Sequence, residues 1–211
     1  MVKQRASVER LPAYVQGKSI PGAVKLSSNE NPYPPLESVA QAVREQAGSI
    51  QLYPDMSALA LRARIAERFG VRVEEIAVGA GSVEVAGQLI SASAGDGDEV
   101  IFAWRSFEAY PILVQVAGAV PVAVPLTADE RHDLPAMAAA VTERTRLILV
   151  CNPNNPTGAG VTAAELDDFM RAVPSDVLVV VDEAYVHFNT DPDSADGIDF
   201  FRRYENVAVL H

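Results

Sequence analysis

From residue 75 onward, short apolar runs alternate with amphipathic stretches. EIAVG (75–79), DEVIFAW (98–104), VPVAVPL (120–126), RLILVCN (146–152), VLVVVDEAY (177–185) and NVAVLH (206–211) are short and rich in β-branched residues, which predicts strands. Between them, SVEVAGQLISASA (82–94), FEAYPILVQVAG (107–118), LPAMAAAV (134–141), TAAELDDFMRAV (162–173) and IDFFRRY (198–204) carry helical spacing. Thr162 followed by Glu165 makes a capping box for the fourth of these. Upstream, LESVAQAVREQA (36–47) and SALALRARIAERFG (57–70) predict two more helices, the second opened by Ser57 and closed by Gly70.

Alternating strands and helices, with strands that are apolar throughout, predict an α/β domain. Its sheet is expected to be largely parallel and covered by helices on both faces. Residues 1–35 hold five prolines and little periodicity, which predicts an extended N-terminal arm ahead of a body at 36–211. In such sheets ligands sit at the C-terminal ends of the strands. The unusual residues of this chain gather there: Gly79 to Ser82, Trp104 to Phe107, Asn152 to Gly158, and Asp182 to Tyr185.

Composition narrows the field. The formal net charge of −11 over 211 residues argues against a nucleic-acid partner, which would require a basic face. No apolar run approaches the ~20 residues of a membrane span, and MVKQRASVERLPAYV lacks the apolar core of a signal peptide. A single cysteine, Cys151, excludes an intrachain disulfide, and a cytoplasmic protein is expected. The three histidines, 132, 187 and 211, are scattered and form no metal-ligand pattern, so no metal is expected.

The chemistry lies in four segments. VGAGSVEVAG (78–87) joins a glycine turn to a helix start, where free N–H groups favour an anion. A dinucleotide fingerprint is broken there by Glu84, so a single phosphate on the backbone of Gly81, Ser82 and Val83 fits better; the plain alternative is a tight turn capped by Ser82. CNPNNPTG (151–158) carries two Asn-Pro pairs, as a stiff loop or as a site that aims Asn155 at the strand ends. WRSFEAY (104–110) offers Trp104, Phe107 and Tyr110, of which at least one is expected in the core and one could stack on a flat heterocycle. Asp182 closes the most apolar strand, where a carboxylate is costly unless a cation meets it. A flat cationic ring bearing a phosphate satisfies these segments together, and pyridoxal 5′-phosphate is such a ligand. Glu183 should face away from Asp182, because strand side chains alternate, and is read as structural.

SSNENPYPP, YPD, GAGSVE, NPNNPTG and DEAY occur in this order along the chain, and the set resembles the fold-type I pyridoxal-phosphate-dependent aminotransferases. Within them it is similar to the histidinol-phosphate and aromatic aminotransferases. WRSFEAYP and the arm are more like the aromatic, phenylalanine-type enzymes of actinobacteria. The resemblance implies that Asp182 faces the cofactor's pyridine nitrogen, that Asn155 and Tyr185 contact its phenolic oxygen, and that Phe107 stacks on its ring. In place of the family's Pro-Thr before that aromatic, this chain has Arg105-Ser106. Gly81, Ser82 and Val83 would hold the phosphate. Tyr53 would reach the phosphate of a neighbouring subunit, which implies a homodimer with shared sites. Asn29, Glu30 and Asn31 match a segment that closes over substrate. The implied reaction moves an amino group between an aromatic amino acid and a 2-oxo acid such as 2-oxoglutarate, with histidinol phosphate as the alternative substrate.

One part of the implied machinery is missing. The lysines are Lys3, Lys18 and Lys25, all in the arm, and none follows a strand. The family's Schiff-base lysine would fall just past His211, so no catalytic residue is assigned within the chain. Residues 36–211 are then expected to be an incomplete cofactor-binding large domain. A short, non-catalytic binding module of the same fold and a nucleotide-binding α/β protein are the competing readings.

Overall fold

The computed structural model describes Lys3, residues 5–9, Leu11, residues 20–25 and residues 27–211; the remainder of the predicted arm, including Lys18, lies outside the described residues. Five strands form the sheet: β1 Glu99–Trp104, β2 Val120–Pro125, β3 Thr145–Cys151, β4 Leu178–Asp182 and β5 Val207–Leu210. Their spatial order is β2-β1-β3-β4-β5 and every pairing is parallel. The helices are α1 Ala6–Glu9, α2 Glu37–Gln46, α3 Leu59–Phe69, α4 Gly81–Ser93, α5 Ala109–Ala117, α6 Leu134–Ala139, α7 Ala163–Ala172 and α8 Gly197–Arg203.

The period of two along each strand sorts the apolar side chains into two cores. Ile101, Ile148, Val150, Val179 and Val181 face Met137 of α6, Leu166 and Phe169 of α7, and Phe200 of α8. Val100, Phe102, Leu147, Leu149 and Val180 face Ala86 and Ile90 of α4, and Tyr110 and Val114 of α5. Both faces are therefore covered, which explains why the strands read as unbroken apolar runs. β2 lies at the edge, where Pro121 and Pro125 are tolerated. Pro111 falls in the first turn of α5, where a missing N–H costs no helical hydrogen bond.

Three expectations need correction. Residues 75–79 do not form a strand: Val73–Glu75 is a 3₁₀ turn, and the chain beyond runs without a ladder partner among the described residues. A cavity of about 330 Å³ is lined by Ile76, Val78 and Gly79 on one side and by Val209 and Leu210 of β5 on the other. The apolar pattern of a strand is present there, but a strand also needs a neighbour to accept its hydrogen bonds. Ser57 does not cap α3. Ala58 intervenes with φ 46°, and the Asp55 carboxylate takes the N–H groups of Ser57 and Leu59 at 2.9 and 2.8 Å. The arm is not extended throughout either: α1 forms a single turn, and Arg5 beside it donates to the carbonyls of Val116 and Ala117 at the C-terminus of α5.

Candidate functional site

The chain leaves β1 for β2 in one direction across the sheet and returns through β3 on the other side of β1, so the order reverses between β1 and β3. A crevice opens at such a reversal, at the C-terminal strand ends. Two loops border it: Arg105–Glu108 after β1 and Asn152–Val161 after β3. Ser106 bridges them, its hydroxyl donating to Asn154 Oδ1 at 2.8 Å, and Asn154 Nδ2 returns a bond to the Arg105 carbonyl at 3.1 Å. The peptide bonds Trp104–Arg105, Asn152–Pro153 and Asn155–Pro156 are cis.

The three asparagines of NPNNPTG divide the work. Asn152 is buried, accepts from Val161 N–H at 2.8 Å and donates to the Ala195 carbonyl at 3.2 Å. Asn154 is buried within a network of Ser106, Thr157 and His132. Because Asn154 Oδ1 can only accept, His132 donates through Nε2. Burial holds its pKa below the ordinary value, so the ring is neutral. Asn155 is half-buried and lines a cavity of about 470 Å³ together with Tyr185, Asn29 and Phe188. The loop is thus braced by two asparagines, and the third is presented to open space.

Asp182 ends β4 at 4 % exposure, between Cys151 of β3 and Leu210 of β5. Its Oδ2 accepts from the Tyr110 hydroxyl at 2.6 Å and its Oδ1 from Ala184 N–H at 3.2 Å. Both partners are neutral donors. Burial raises the Asp182 pKa, and the two hydrogen bonds oppose that rise. A carboxylate in this state gains most from a cation placed against it. Phe107 is half-buried at the entrance to α5, edge-on to Tyr110 with centroids 5.6 Å apart.

Glu183 turns the other way. It is buried, accepts from Gly197 N–H at 2.7 Å, and lies 3.2 Å from His211 Nε2. Burial pushes its carboxyl up to about 7 and pushes His211 down, so near neutrality the contact is weakly charged at most.

The remaining predicted residues fall in several places. Gly81, with φ 79°, and Ser82 and Val83 form the first turn of α4; Gly81 N–H donates to the Gly79 carbonyl at 2.8 Å, and the N–H groups of Ser82 and Val83 lack intrahelical partners. Glu84 takes the preceding Ala80 N–H at 2.5 Å. Gly81 and Ser82 line the same cavity as Leu210 and His211, one strand over from Asp182. Asn29 Nδ2 donates to the Tyr185 hydroxyl at 2.8 Å, which brings the arm to the cavity. Glu30 instead pairs with Lys25, and Asn31 Oδ1 accepts from Tyr33 N–H within its own turn. Tyr53 is 100 % exposed and lines neither of these two cavities.

Sequence reasoning missed Tyr110 as a partner of Asp182. Its signal is its place three residues after Phe107, which puts both rings on one side of the helix start. Asn154 and Ser106 carry no local signal, since their partners come from distant loops.

The donor set fits pyridoxal 5′-phosphate: a buried anion with neutral partners, a half-buried aromatic face, two polar side chains on a cavity, and an open helix start. Comparisons with known proteins point the same way. An aromatic amino acid aminotransferase of Rhodococcus jostii is 57% identical over 208 residues, covering 99% of this chain and 58% of that protein. One from Streptomyces avermitilis is 57% identical over 212 residues, covering 99% and 59%. Among solved structures, histidinol-phosphate aminotransferase from Sinorhizobium meliloti, in complex with pyridoxal-5′-phosphate, superposes with a TM-score of 0.86 at 28% identity, over 99% of this chain and 58% of that one. An aspartate aminotransferase of Thermus thermophilus gives 0.74 at 28% identity, over 81% and 48%. The chain therefore spans 58–59% of the length of these curated relatives. The family model described as aminotransferase class I and II matches residues 21–211, and the chain belongs to that family.

Proposed function

We propose that this chain supplies the cofactor-binding part of a pyridoxal-phosphate-dependent aminotransferase acting on an aromatic amino acid and a 2-oxo acid such as 2-oxoglutarate. The observation that carries the cofactor reading is Asp182, a buried carboxylate at a strand tip whose partners are both neutral donors. The substrate class rests on the two actinobacterial relatives named aromatic amino acid aminotransferases.

Bound pyridoxal phosphate supplies an electron sink for the bonds at the substrate Cα. Asp182 would hold the proton on the ring nitrogen, which a neutral side chain there could not do. Asn155 and Tyr185 would hydrogen-bond the ring oxygen from the cavity they share. Phe107 would offer its flat face, and Gly81, Ser82 and Val83 would meet the phosphate with backbone N–H groups. Asn29, already bonded to Tyr185, would bring the arm over the substrate, with Glu30 and Asn31 beside it.

A homodimer with shared sites is part of the proposal. Leu36, Val43, Ile50, Leu52, Tyr53 and Met56 are all exposed, a concentration of apolar surface that another surface should cover. The cytoplasm is the proposed compartment, in keeping with one buried cysteine. No helix among the described residues is long and apolar enough to cross a membrane.

A second reading, histidinol phosphate as substrate, draws on the Sinorhizobium meliloti structure. Rates measured side by side with phenylalanine and histidinol phosphate on the full-length protein separate the two. Faster turnover of phenylalanine is expected, and a preference for histidinol phosphate would reverse the assignment. Failure of the full-length protein to turn over either one would favour a non-catalytic binding module.

A further inference from the structure

The cofactor reading uses Asp182 and Phe107 and leaves Tyr110 without a role, yet Tyr110 touches both. Its hydroxyl donates to Asp182 Oδ2 at 2.6 Å, and its ring stands at 90° to that of Phe107. Tyr110 N–H also donates to the Phe107 carbonyl at 3.1 Å, so the backbone fixes the spacing of the two rings. Tyr110 is fully buried and packs against Phe102 of β1 at 6.1 Å.

A buried tyrosine needs a partner for its hydroxyl, and many acceptors would serve. Here the partner is the one carboxylate placed for the cofactor. With Oδ1 held by Ala184 N–H and Oδ2 by Tyr110, two donors fix the plane of the carboxylate. Each oxygen keeps a further lone-pair position for a third donor. Burial holds the phenol well above its ordinary pKa, so it remains a donor.

Resting on the pyridoxal-phosphate reading, we propose that Tyr110 is a positioning residue of the cofactor site: its hydroxyl fixes the Asp182 carboxylate for the ring nitrogen, and its ring braces Phe107 for stacking. One side chain thereby couples two cofactor contacts, one from the tip of β4 and one from the loop before α5. The other titratable groups around Asp182 are Cys151 of β3, kept neutral by burial that pushes its thiol up to about 11, and His211 after β5, while Glu183, next in the chain, points the other way. Among the interactions that oppose burial at Asp182, the Tyr110 hydroxyl comes first. Its loss would move the ionisation of Asp182 to higher pH.

The test is pyridoxal-phosphate affinity of the full-length protein by equilibrium dialysis as a function of pH. Tyr110→Phe keeps the ring and loses only the hydroxyl. Affinity should fall about tenfold, and the acid limb of binding should move up by about one pH unit, the scale of one charge-assisted hydrogen bond. 3-Fluorotyrosine at position 110 keeps the fold and donates more strongly, so it should move the limb down. In an Asp182→Asn background the effect of Tyr110→Phe should shrink toward nothing. Unmoved limbs in both position-110 variants would overturn the proposal, as would an undiminished effect in the Asp182→Asn background. Absence of pyridoxal-phosphate binding by the unaltered protein would overturn the cofactor reading itself, and this proposal with it.

Discussion

Asn154 and Asn155 are neighbours with the same side chain and opposite tasks. Asn154 holds two loops together through Ser106, Thr157 and the Arg105 carbonyl, whereas Asn155 enters none of those bonds and faces the cavity. Asn154→Ala should therefore destabilise the protein by about 2–4 kcal/mol, because it strands several buried partners. Asn155→Ala should change stability by less than about 1 kcal/mol and act on cofactor affinity instead. Urea unfolding of the two variants checks this, and equal losses would refute the division. The motif could be read from the sequence, but the division of labour within it could not, since it depends on partners dozens of residues away. Tyr110 was hidden for the same reason: an apolar-helix tyrosine looks like core until its hydroxyl is seen to end on Asp182.

At the scale of elements, the five strands and helices α5 to α8 could be read from their patterns, because burial on both sheet faces leaves a clear apolar signal; the strand read to 185 ends at Asp182, and the 3₁₀ turn Val186–Phe188 that follows carries no such signal. Residues 75–79 have that signal without the structure, since pairing is a property of two segments. The capping box at α7 was local and therefore readable: Thr162 Oγ1 accepts from Glu165 N–H at 3.2 Å, and Glu165 accepts from Thr162 N–H at 2.8 Å. Thr162→Ala should cost about 1 kcal/mol in chemical unfolding. The joint between β4 and α8 is made by Glu183 on Gly197 N–H. With its folded pKa raised to about 7 from an ordinary 4.5, Glu183 stabilises the fold fully below about pH 4.5 and loses that contribution as pH rises through 7. Glu183→Gln should flatten the pH dependence of stability in that window by about 2 kcal/mol. An unchanged slope in urea titrations at pH 5 and pH 8 would show that the carboxyl titrates normally.

At the scale of the whole molecule, the apolar surface around residues 36–56 and the fully exposed Tyr53 belong to the same argument. If that surface covers a second copy, the full-length protein should sediment as a dimer, and Leu52→Asp should shift it toward monomer with weaker cofactor retention. A monomeric unaltered protein would remove the shared-site proposal and leave the fold untouched. The central claim is narrower: the carboxylate at the tip of β4 is there to meet a protonated pyridine. Its most direct test is amino-transfer turnover of the full-length protein carrying Asp182→Ala, with folding verified by circular dichroism. Turnover should fall by at least about a hundredfold while the fold is kept; unchanged turnover would contradict the account.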